Sequence, residues 1–162
     1  MKNKVLIISL FALSGALASD TPHYEFSGEK AVAYLIRNGQ CRDCDLSNQD
    51  LRAVMAEVNL KYRKRCMFTD LSGANLSHAN LSGVDLSHAT MRDADFTGAD
   101  LTNANLSDTI MTGINLTGAN LTNADLSYAI LTDADLTGAD LTGADLTGAS
   151  GLYTVTGYTP TK

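Results

Sequence analysis

Tryptophan is absent from the sequence, proline occurs twice, and aromatic residues make up 6% of the 162 positions. That is too little bulk for a wide packed core. Apolar residues nevertheless reach 44%, too many for a disordered chain, so a thin, repetitive core is implied. Positive charge is scarce as well: twelve Lys and Arg stand against eighteen Asp and Glu, a formal net charge of -6. Bulk attraction to nucleic acid or to an anionic membrane needs the opposite sign, so direct nucleic-acid binding is not expected.

Long apolar runs are missing apart from one. Lys2 and Lys4 precede a run from Val5 to Leu13 broken only by Ser9, and Ser14-Gly15-Ala16-Leu17-Ala18 follows. Basic, apolar and small-residue regions in that order read as a secretory signal peptide over residues 1–18, cleaved between Ala18 and Ser19. The run is far shorter than the roughly 20 residues that span a bilayer, so no transmembrane anchor is expected. The mature chain is expected to be exported: to a periplasm, to the medium, or to a thylakoid lumen if the source is cyanobacterial.

From Thr69 to Gly148 the sequence is written in sixteen consecutive units of five residues. The central residue is Leu in thirteen units, replaced by Met91, Phe96 and Met111, and the residue two before it is Ala in twelve. The residue before the centre is Asp or Asn in thirteen units, and the residue after it is Ser or Thr in fifteen. This period matches neither the helical repeat of about 3.6 nor the strand repeat of about 2, so no helix or flat strand keeps these leucines on one side. A chain that turns a corner at every unit does, with Leu and Ala inward and the polar residues outward.

The exceptions give the number of units per turn. The only units without Asp or Asn before the centre carry Thr90, Ile110 and Ile130, spaced by twenty residues, which implies four units per coil. At that spacing Asn75, Asp95, Asn115 and Asp135 stack on one side, and Asn80, Asp100, Asn120 and Asp140 on the next. Coils lie about 4.8 Å apart, as strands do, and like charges directly across a ladder destabilise it. Alternating Asp with Asn removes the repulsion and keeps the hydrogen-bonding group. A third stack, Asp85, Asn105 and Asp125, ends against the rule on Asp145.

The unit A-(D/N)-L-(S/T)-x, as in Ala119-Asn120-Leu121-Thr122-Asn123, resembles the pentapeptide-repeat family. The resemblance covers residues 69–148 and implies an all-β fold, a right-handed quadrilateral β-helix with four units per coil. Four coils would make a rod of roughly 19 Å.

Both ends of such a rod need covering. Residues 19–43 hold a predicted capping helix: Ser27 is placed to cap it, Ala31, Val32, Leu35 and Ile36 form an apolar face, and Asn38-Gly39 stops it. The repeats are expected over 44–149, beginning with units centred on Leu46 and Leu51. Between them and the regular rod, 52–68 is an irregular coil. Val58-Asn59-Leu60 reads there as a unit shifted by one residue that would bury Leu60, with a bulge or loop between Arg52 and Phe68. In the tail, residues 150–162, Leu152, Tyr153, Val155 and Tyr158 are available to cover the last coil without a helix.

Few residues suggest chemistry. Cys41-Arg42-Asp43-Cys44 could exchange electrons at a helix N-terminus, but the predicted helix precedes it. In an exported chain a structural disulfide between Cys41 and Cys44 is the first choice, with Cys66 as the alternative partner of either. Three cysteines with no adjacent His pair leave a zinc site short of a ligand, and His78 and His88, ten residues apart, fall on opposite sides of a coil. No triad arrangement emerges. No catalytic residue, cofactor or metal site is therefore expected.

Two surface features remain: the basic run Lys61, Arg63, Lys64 and Arg65, and the semi-apolar stripe Thr90, Ile110, Ile130. Both are candidate interaction residues. The leading function is a non-catalytic exported binding or scaffold module for an unidentified protein or other macromolecule, with homo-oligomerisation left open. The family resemblance adds a DNA-mimic inhibitor of DNA gyrase or topoisomerase, since residues 69–149 carry eleven acids against Arg92 alone. A third reading takes the threonine ladders, Thr97, Thr117, Thr137 and Thr102, Thr122, Thr142, as a lattice for ice or polysaccharide.

Overall fold

The computed structural model describes residues 27–62 and 69–158. The expected signal peptide with Ala18 and Ser19, and Arg63, Lys64, Arg65 and Cys66, lie outside the described residues.

Each unit is a short extended segment closed by a β-turn. In the unit around Leu101, the Ala104 N–H donates to the Leu101 carbonyl at 3.0 Å, and Asn103, third in the turn, has a φ of 57°. L-residues enter that left-handed region at a cost of about 1–2 kcal/mol, which Gly, Asn and Asp largely avoid. Most corners accordingly carry one of those three, with His78, His88 and Tyr128 as the exceptions. The Leu101 N–H donates to the Asn120 carbonyl at 2.8 Å, and the Asp100 N–H donates back to Ala79 at 3.0 Å. Residues twenty apart are therefore paired in parallel throughout the regular rod.

The pairings define four sides. The first carries Gln40, Asp70, Thr90, Ile110, Ile130 and Ser150, and the second Ser27, Asp45, Asn75, Asp95, Asn115, Asp135 and Thr156. The third carries Asp50, Asn80, Asp100, Asn120 and Asp140, and the fourth Asp85, Asn105, Asp125 and Asp145. Inside, the central residues from Leu71 to Leu136 and the small residues two before them form one continuous core. Burying each such Leu contributes about 1.5–3 kcal/mol. Thr109, at an Ala position, donates its buried hydroxyl to the Leu106 carbonyl at 2.6 Å.

Helix α1, Glu29–Asn38, covers the start of the rod with Ala31, Val32 and Leu35. Gly39 ends it at a φ of 70°, its N–H donating to the Leu35 carbonyl at 2.8 Å. The expected cap at Ser27 is not made. Gly28 holds the cap position without a side-chain bond, and Ser27 pairs with Asp45 as a rung of the second side.

From Arg52 to Tyr62 the chain is not the expected bulge or loop, and 63–68 lie outside the described residues. Helix α2 spans Arg52–Tyr62, and Leu51, Met55 and Val58, at helical spacing, are all buried. Leu60 is 67% exposed, which corrects the shifted-unit reading: the helical rotation that buries Val58 turns residue 60 outward. The Asn59 side-chain amide donates to the Asp85 carbonyl and so stands where a fourth-side rung would. With α2 inserted, Asp45 pairs with Asn75 instead of a residue twenty away.

Beyond the last unit the tail continues two sides of a coil, Ser150 pairing with Ile130 and Thr156 with Asp135. Leu152, Val155 and Tyr158 pack on the core. Tyr153, expected to join them, is 90% exposed. Among the described residues no helix is long and apolar enough to cross a membrane.

Candidate interaction surface

Three sides of the rod use their outward column internally. Asp100 Oδ1 accepts both the N–H and the hydroxyl of Thr102, at 3.0 and 2.6 Å. Asn80 with Ser82 and Asn105 with Ser107 repeat the arrangement. The backbone N–H concerned takes no part in the ladder, so the side chain two residues before it supplies its acceptor. That is the physical reason for Asp or Asn before the centre and Ser or Thr after it. The same bonds hold Asp135, Asp140 and Asp145 below the ordinary carboxylate value: the hydroxyls of Thr137, Thr142 and Thr147 come first, then the N–H groups of the same residues.

On the first side only Asp70 makes these bonds, to Ser72, and the device is lost from Thr90 onward. Ile110 and Ile130 have no oxygen to offer, so the N–H groups of Thr112 and Thr132 have no counterpart of the bond that Asp100 gives Thr102. Four large apolar side chains are exposed among the described residues, and apart from Leu60 they are Tyr128, Ile130 and Tyr153. All three lie along the first side, Ile130 on it and the two tyrosines at its opposite corners. Ser150 pairs with Ile130, Tyr128 lies two residues before Ile130, and Tyr153 follows Ser150 by three. Tyr128 lies over Gly148, where an added Cβ would come within 2.7 Å of the ring. Asp108, two before Ile110, and Asp133, three after Ile130, stand at the margins. Thr154 accepts the Asp133 N–H at 2.8 Å and fixes the tail beside that corner. Thr90 continues the column away from the patch and is partly buried.

The other candidates fall elsewhere. Lys61 is in the last turn of α2. Cys41 and Cys44 are joined in a disulfide with their Cα atoms 5.5 Å apart, at the corner between the first and second sides. Both are buried and occupy the inward positions that Leu and Ala hold in later coils, which leaves Cys41 against α1. Cys41 Sγ lies 3.5 Å from the Ala31 carbonyl. A shallow depression beside the bridge is lined by Asp43, Cys44, Asp45, Gly73 and Asn75. His88 faces Asp108 at 3.9 Å, two corners away from His78. Among the described residues no group of three His, Cys, Asp or Glu is placed to hold a metal ion.

A four-sided parallel coil built from five-residue units, with a single continuous core, defines a β-solenoid repeat protein. The family model for pentapeptide repeats matches residues 69–108 and 114–150 in eight copies, and the chain belongs to the pentapeptide-repeat family. Among solved structures it is similar to HetL, a pentapeptide repeat protein involved in heterocyst differentiation regulation from the cyanobacterium Nostoc sp. strain PCC 7120. The TM-score is 0.60 at 33% identity, over 72% of this chain and 50% of HetL, so the chain spans half the length of that protein. It is also similar to Rfr23 from the cyanobacterium Cyanothece 51142, with a TM-score of 0.57 at 25% identity, over 76% of this chain and 95% of that one. These neighbours imply the right-handed quadrilateral form of the β-helix. No curated protein matches the chain.

Proposed function

We propose that the chain is a non-catalytic, exported binding or scaffold rod that receives another envelope or extracellular macromolecule on its first side. One observation carries this reading: the polar column that occupies three sides gives way on the first to Ile110 and Ile130, flanked by exposed Tyr128 and Tyr153. A rod that needed only solubility would repeat Asp or Asn there too. Residues 1–18 direct export in this reading, and the Cys41–Cys44 bridge pins the capped end in an oxidising compartment.

Two experiments test it. Fractionation with N-terminal sequencing should find the chain outside the cytoplasm beginning at Ser19, and mass spectrometry should find one disulfide and one free thiol. A photoreactive residue replacing Ile110 should then capture a partner that one replacing Asn120 does not. Full-length chain in the cytosol, or equal capture from both positions, would reject the reading.

A second reading, duplex mimicry against gyrase, draws support from charge density. Residues 69–149 carry a net charge of -10, about one charge per 1.9 Å of rod at the strand spacing, close to the roughly 1.7 Å of duplex DNA. Inhibition of gyrase supercoiling by the purified chain would favour this reading, and cytosolic retention would be required for it. The lattice reading loses support, because the hydroxyl hydrogens of Thr102, Thr122 and Thr142 are donated inside the rod at 2.6 Å.

A further inference from the structure

We infer that the C-terminal half of the first side docks a short protein segment in which an apolar residue is flanked by Lys or Arg. The inference rests on the binding reading above and names the chemistry of the partner. Tyr128, Ile130 and Tyr153 are 62%, 38% and 90% exposed, and exposed aromatic and aliphatic groups ranged along one side of an otherwise polar rod mark an interaction site. The surroundings select the occupant. Asp108, with His88 at 3.9 Å on its far side, and Asp133 border the patch, and Arg92, on the same side but at Thr90, is the single Lys or Arg between 69 and 149.

Charge complementarity therefore calls for basic flanks, which raise the rate of encounter and penalise acidic competitors. The same charges disfavour a second copy, since isologous pairing sets each acidic rim against itself, and they disfavour an anionic lipid surface. The Thr112 N–H, which lacks the acceptor present on the other sides, is a donor for a carbonyl oxygen of the docked segment, whereas Gly151 packs against the Thr132 nitrogen. Tyr128 is also, among the described residues, the one Phe or Tyr held at a left-handed corner, at a φ of 58°, a position where a bulky side chain brings backbone strain.

The test uses the full mature chain and random peptides displayed on phage. Selection is run on the wild type and on the double variant Tyr128→Asn, Ile130→Thr, in which Asn suits the left-handed corner and Thr keeps a β-branched strand residue. Peptides enriched on the wild type should combine Leu, Ile or Phe with neighbouring Lys or Arg. A synthetic representative should bind the double variant about tenfold or more weakly, associate more slowly as salt rises, and bind Asn120→Thr, altered on the third side, as it binds the wild type.

Acidic peptides, or basic peptides without an apolar residue that bind the double variant equally well, would overturn the inference. So would a concentration-dependent dimer of the wild type that the double variant abolishes, which would assign the patch to a second copy. Capture from Ile110 in cells together with a failed peptide selection would leave the binding reading standing and remove this one.

Discussion

The regular rod and the first coil contain the same kind of unit and solve the same packing problem differently. From Thr69 to Gly148 every side is a five-residue unit, and pairing at twenty residues follows from counting alone. In the first coil one side is helix α2, Arg52–Tyr62. Met55 and Val58 fill the core there as Leu does elsewhere, and Asn59 reaches Asp85 with a side-chain amide where the backbone would otherwise pair. The core asks only for buried apolar volume at each level, whereas the backbone ladder asks for a matched period. A helix meets the first demand and bypasses the second, so a coil can take an insertion without moving the coil above it.

The largest expected effects test whether the two regions share one core. Met55→Ala in α2 and Leu101→Ala in the rod should each cost about 2–5 kcal/mol in denaturant unfolding, while Leu60→Ala should stay within about 0.5 kcal/mol. A large loss at Leu60 would restore the shifted unit that the helix replaces.

Left-handed glycines sharpen the contrast between irregular tail and regular rod. Gly151→Ala should be the most damaging of three, because its Cβ would lie 2.4 Å from the Thr132 backbone nitrogen, which cannot yield. Gly113→Ala meets the Asp93 carboxylate at 2.3 Å, and that side chain can swing away. Gly118→Ala meets nothing within 4 Å and should cost only the left-handed strain of about 1–2 kcal/mol. Melting temperatures of the three variants give the order.

Acid should act on the far end of the rod more than on a variant that lacks its carboxylates. Asp135 and Asp140 sit below the ordinary carboxylate value because of Thr137 and Thr142. A depressed carboxylate contributes stability above its unfolded value, near pH 3.9, and loses that contribution as pH falls through the folded value. Asp135→Asn with Asp140→Asn, which keep an accepting oxygen, should flatten the fall of melting temperature below about pH 4. The smallest effect is a gain. Asp125 and Asp145 pair directly, so Asp125→Asn should stabilise the rod by about 0.2–1 kcal/mol, measured at low salt.

The repeat, the coil count and the identity of the inward residues were legible because each recurs many times at one spacing. The first-side stripe was legible as an interruption of that pattern. Helix α2 was not, because its eleven residues look like a damaged unit, although Leu51, Met55 and Val58 already stood at helical spacing. The patch itself was only half visible. Ile130 belonged to the stripe, but Tyr128 became part of it once its corner was placed, and Tyr153 only when the tail paired along the first side. A corner pattern was also legible: several side chains at left-handed corners lie over a glycine one coil on, as Asp93 does over Gly113 and Asn123 over Gly143. The signal lay in the fifth position of each unit, read at every twentieth residue.

The claim on which both core and docking surface depend is that residues twenty apart, and not ten, share a side. Pyrene labels on paired cysteines, in a Cys66→Ser background with the Cys41–Cys44 bridge intact, test it most directly. Labels at Thr112 and Thr132 should stack about 4.8 Å apart and give strong excimer emission, while labels at Thr112 and Thr122, on opposite sides, should give monomer emission alone. Equal excimer emission from the two pairs, or excimer only from the second, would contradict the four-sided coil and the interaction surface built on it.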